Sequence, residues 1–114
     1  MQCPRCTASL STVRVGSLEA DICRSCSGIW FDRFELSQVD EAHELLGELL
    51  IDELLPHDRI LVATSARLHC PKDTDVVMMR RPFSPQQRIM IDECPACGGV
   101  WLDADELEAI RAQS

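Results

Sequence analysis

The sequence predicts an α+β protein of two small cysteine-stapled β-hairpin modules, each followed by a helix, the first helix long and amphipathic. Three observations carry this. CSGIWFDRFEL at residues 26–36 returns as CGGVWLDADEL at 97–107. Six of the seven cysteines fall in three C-x-x-C pairs, Cys3/Cys6, Cys23/Cys26 and Cys94/Cys97. A module of about 35 residues is too small to hold itself together by core burial, so something must staple it.

Each copy opens with a knuckle, Cys3-Pro4-Arg5-Cys6 or Cys70-Pro71-Lys72-Asp73. About twenty residues later a second knuckle follows, Cys23/Cys26 or Cys94/Cys97, and the second copy is four residues longer between its knuckles. VRV followed by Gly16-Ser17, and VVMM and RIMI around RPFSPQQ, read as hairpins. Two knuckles then converge on one point, which suits a tetrahedral zinc ion with backbone amides aimed at the sulfurs. Gly28, Gly98 and Gly99 are expected to supply positive φ in the tight turn around the metal.

IWF and VWL read as the strand leaving the second knuckle, with Trp30 or Trp101 packed on the hairpin. Asp32-x-x-Glu35 and Asp103-x-x-Glu106 resemble capping boxes that start helices. From Phe34 to Leu55 apolar residues recur at spacings of three and four until Pro56, which predicts one long helix, with Gly47 weakening it by about 1 kcal/mol. Its wide stripe is expected to pack within the chain, on the second module and residues 60–62, with dimerisation through residues 36–55 as the alternative. The second helix should be short, from Ala104 to about Ala112. The expected division is 1–37, a 38–68 helix and linker, and 69–114.

Composition narrows the function classes. The net charge of −8 is uneven, with eight acids and no Lys or Arg from Glu35 to Asp58, so non-specific binding of phosphate backbones over the whole surface is not expected. No run of about 18 apolar residues occurs, which argues against a membrane span. The start MQCPRC carries no leader pattern, and unpaired thiols suit a reducing compartment, so a cytoplasmic protein is expected.

With knuckles, Trp and helix start in place, CPRC…CRSCSGIWFDRFEL and CP…CPACGGVWLDADELEAI resemble two copies of the transcription-factor-IIB-type zinc finger, a zinc-ribbon family. The resemblance covers about residues 1–37 and 69–112, and C-x-x-C-G-G-x-W-L-D-x-x-E-L is its specific string. It implies two zinc ribbons and leaves activity open, because fold is not function. Ser27 departs from it mildly, standing where the first Gly follows the knuckle.

Two zinc ions per chain are expected. The first site takes Cys3, Cys6, Cys23 and Cys26, and the second Cys70, Cys94 and Cys97, with Asp73 at the position of Cys6, and His69 or water as substitutes. A rubredoxin-like iron at the four-cysteine site is the redox alternative. No H-x-E or H-E-x-x-H string accompanies the cysteines, and His43 and His57 read as surface residues, so no catalysis is expected. The expected role is a non-catalytic module for a protein partner, with transcription or other nucleic-acid machinery as a client suggested by the resemblance. The alternative is nucleic-acid binding by the tip of the second hairpin, where Arg80, Arg81 and Arg88 surround Phe83.

Overall fold

The computed structural model describes residues 1–39, 45–54 and 59–113. The first hairpin pairs β1 (Ser11–Val15) with β2 (Leu18–Ile22) across Gly16-Ser17, where Gly16 has φ +59. The chain then turns through the second knuckle into β3 (Ile29–Phe31). The second copy repeats this with longer strands, β4 (Met79–Ser84), β5 (Gln87–Glu93) and β6 (Val100–Leu102).

The two copies do not form separate ribbons side by side. They share one antiparallel sheet in the order β1-β2-β3-β6-β5-β4, joined where β3 pairs β6 with Trp30 opposite Trp101. This seam gives the repeat an approximate two-fold relationship: Ile29 meets Leu102 and Phe31 meets Val100.

Strand alternation divides the core into two faces. Ile29, Phe31, Val100 and Leu102 join an aliphatic cluster with Val13, Leu18 and Ile91. Trp30 and Trp101 point the other way, into a cluster with the cysteines, Leu68 and Met78. Because both faces are covered, β3 and β6 are buried at every position.

Helices cover the aliphatic face. α1 (Leu45–Leu54) brings Leu50, and α2 (Glu106–Ala112) brings Leu107 and Ile110. The expected helix from residue 34 to 55 is not continuous over the described residues. A 3-10 turn spans Leu36–Gln38 and ends at Val39, whose φ of −132 leaves the helical region. α1 packs chiefly on β1 of the first hairpin, where Leu46 lies against Gly16, while its Leu50 shares the aliphatic cluster with Ile91 of the second module. Its Leu45 and Leu49 remain exposed. Pro56, His43 and His57 lie outside the described residues. No described helix is long and apolar enough to cross a membrane.

Candidate metal centres

At the first site the knuckle before β1 and the knuckle before β3 bring the sulfurs of Cys3, Cys6, Cys23 and Cys26 within 4.8 Å of one another. Cys3 Sγ lies 3.7 Å from Cys26 Sγ, and Cys6 Sγ 3.4 Å from Cys23 Sγ. Turn amides aim at the sulfurs as the spacing predicts: the Arg5 and Cys6 N–H groups donate to Cys3 Sγ, and Cys26 N–H to Cys23 Sγ, each at 3.4 Å.

Four thiols so close cannot all ionise without a cation. A hydrogen bond from Cys26 holds the Cys3 thiol down to about 5 against the effect of burial, with the turn amides helping. Burial pushes Cys6 up to about 11, and Cys26 rises because it shares its proton with Cys3 and is itself buried. The cluster thus favours negative charge on Cys3 and protons on Cys6 and Cys26. A divalent soft metal would replace those protons, which is the chemistry of a tetrahedral four-thiolate zinc site.

At the second site Cys70, Cys94 and Cys97 converge in the same way, with Cys70 Sγ 3.8 Å from Cys97 Sγ. Burial raises Cys70 to about 11. Burial also opposes ionisation of Cys94, but the Cys97 and Ala96 amides and the neighbouring thiols outweigh it and lower this thiol.

The expected fourth ligands stand apart. The Asp73 carboxylate is not among the groups that converge on the three sulfurs; its contribution is a backbone N–H to Cys70 Sγ at 3.4 Å, and the side chain is exposed. His69 is also exposed, with Nδ1 2.8 Å from the Thr74 carbonyl oxygen.

A family model for transcription factor zinc-finger domains matches residues 2–42 and again 69–113. The chain belongs to this zinc-ribbon family. Two matched segments agree with two tandem copies, and with the two cysteine clusters they make a protein of two zinc sites per chain. No curated protein and no solved structure matches the chain.

The zinc-ribbon copies are locked together by residues that the repeat exchanges. A Cβ on Gly28 would stand 2.1 Å from Trp101 Cζ2, and one on Gly99 would stand 2.1 Å from Trp30 Cζ2. These two glycines are therefore needed for close approach and not for φ. The positive φ falls one residue earlier, on Gly98 at +77 and on Ser27 at +64.

Charge is exchanged too. Arg5 of the first knuckle donates to both Asp103 oxygens, Nε at 2.9 Å and Nη2 at 2.7 Å, and reaches within 3.8 Å of Asp92. Lys72 of the second knuckle returns the gesture by pairing with Asp32. The sequence hint was a basic residue at the same place in both knuckles and an Asp two residues after each Trp.

The capping boxes are half formed. Glu35 Oε1 accepts from the Asp32 N–H at 2.9 Å, and Glu106 Oε1 from Asp103 N–H at 2.5 Å. The Asp side chains instead accept from the indole N–H of Trp30 and Trp101, at 3.3 and 3.0 Å.

The basic run of the second hairpin is not gathered at its tip. The turn is Pro85-Gln86, while Arg80 and Arg81 sit near the far end of the strands, opposite Asp92 and Ile91. Arg80 pairs with buried Asp92 at 3.4 Å and donates to the Thr64 carbonyl at 2.7 Å; Arg81 forks onto Glu93. Phe83 is half-buried against the aliphatic cluster, and Arg88 is exposed near the turn. Ion pairing within the hairpin accounts for two of the three arginines.

Proposed function

We propose that the zinc sites are structural and that the protein is a non-catalytic interaction module whose client belongs to transcription or other nucleic-acid machinery. Four thiolates saturate a tetrahedral ion, leaving the first site no position for substrate. Zinc in both sites fixes the knuckles and therefore the sheet between them. The family description supports the choice of client.

The observation that carries the interaction reading is Phe34. It is held at φ +72, a conformation unfavourable for a bulky residue, and is 74% exposed. It borders a groove of about 510 Å³ lined by Arg33, Arg81, Phe83, Pro95 and Ala96. Its counterpart in the second copy, Asp105, shares the left-handed conformation at φ +70 but is paired with Arg59. An aromatic ring presented there, with the Arg33 guanidinium 4.8 Å from its centroid, fits an interface anchor.

The test is capture by immobilised zinc-loaded protein. A protein retained by wild type and lost with Phe34→Ser supports the reading. Retention that nuclease treatment abolishes, and that Arg88→Ala weakens, favours direct nucleic-acid binding. Retention indifferent to Phe34→Ser overturns the assigned surface.

A further inference from the structure

The two knuckle pairs are equivalent in backbone and differ at one donor. The Cys6 N–H to Cys3 Sγ contact of 3.4 Å is matched by Asp73 N–H to Cys70 Sγ at 3.4 Å. The Cys26 N–H to Cys23 Sγ contact is matched by Cys97 N–H to Cys94 Sγ, again at 3.4 Å. The sulfur separation of 3.7 Å between Cys3 and Cys26 is matched by 3.8 Å between Cys70 and Cys97. The second site is thus built to the dimensions of a four-sulfur site but with three sulfurs.

Neither neighbouring side chain fills the remaining place. Asp73 is exposed and outside the converging group, and the His69 ring is engaged with Thr74. The equivalent Cys6 is only half-buried, so this vertex lies toward solvent and is accessible from it. Three thiolates on a divalent ion sum to a single negative charge, one less than at the first site.

Resting on the two-zinc reading, we infer that among the described residues Cys70, Cys94 and Cys97 alone hold the second zinc, and that its fourth ligand is an exogenous thiolate. A soft anionic donor matches the soft three-sulfur set better than a carboxylate does. The incoming thiol binds as thiolate and gives its proton to the buffer, with no change of oxidation state.

X-ray absorption at the zinc edge of the full chain tests this, with 2-mercaptoethanol as the probe. In thiol-free buffer the mean sulfur number should be about 3.5 per zinc, rising to about 4 when 2-mercaptoethanol is added. Asp73→Ala should leave the thiol-free value and the response unchanged, whereas Asp73→Cys should give about 4 at the outset and abolish the response. A sulfur number unmoved by 2-mercaptoethanol overturns the thiolate assignment. Loss of an oxygen ligand, or roughly tenfold weaker zinc binding, in Asp73→Ala overturns the three-residue set. Zinc content below two per folded wild-type chain contradicts instead the two-site reading beneath it.

Discussion

Trp30 of the first ribbon lies on Gly99 of the second, so close that a Cβ there would come within 2.1 Å of its ring. The reciprocal pair is Trp101 on Gly28. Each copy's largest side chain is therefore seated in a notch cut by the other copy's missing side chain, and the seam between β3 and β6 depends on both.

Gly28→Ala and Gly99→Ala should each destabilise the zinc-loaded protein by about 1–3 kcal/mol, because a fully buried indole has nowhere to retreat. Ser27→Gly should do the reverse by a fraction of that, since it relieves a left-handed residue at φ +64. Thermal unfolding at fixed zinc concentration checks both signs.

Arg5→Met should cost about 3–5 kcal/mol. It strips Asp103 of the two-pronged guanidinium at the seam and leaves the nearby Asp92 with Arg80 as its remaining cation, and the Arg5 side chain is 2% exposed. The equivalent Lys72→Met should cost well under half as much, because the Lys72–Asp32 pair is open to solvent. Equal losses in denaturant titrations would contradict this ranking.

Glu106 predicts an unusual pH dependence. Burial first, and then the charges of Asp103 and Asp92, push its carboxyl up to about 7, although the Asp103 N–H and Arg5 oppose this. The native state therefore holds this proton longer than the unfolded chain does, and ionisation removes stability as pH rises from about 4.5 to 7. Glu106→Gln keeps an acceptor for the Asp103 N–H and cannot ionise. It should melt higher than wild type at pH 8, with the gap narrowing at pH 6.

Zinc uptake should release protons at pH 7, at least those of Cys6, Cys26 and Cys70, whose thiols are all raised. Apparent affinity then rises with pH through neutrality. Calorimetry in buffers of differing ionisation enthalpy measures the release. In a chelator titration the second site, with three thiolates from the chain, should empty before the first.

Much of this was legible because the chemistry is local. C-x-x-C turns bring sulfurs and amides together within four residues, so Cys3, Cys6, Cys23 and Cys26 could be read as one donor set, and Gly16-Ser17 as a hairpin turn. The seam was not legible, since β3 and β6 are three residues each, too short for a period, and buried on both faces. Arg80 and Arg81 were misplaced for a related reason. The strands run to Ser84 and resume at Gln87, so the cluster of charges in sequence is spread along a ladder in space, where cross-strand acids meet it. The long helix was misread because periodicity does not register a single residue such as Val39 leaving the helical region.

The most direct measurement is metal content against foldedness: native mass spectrometry of the purified chain, paired with circular dichroism during chelation. The account predicts two zinc ions per folded chain and loss of the sheet when they are removed, because metal binding supplies most of the folding energy of such small modules. One metal or none per folded chain, iron in place of zinc, or a sheet that survives complete chelation would contradict it.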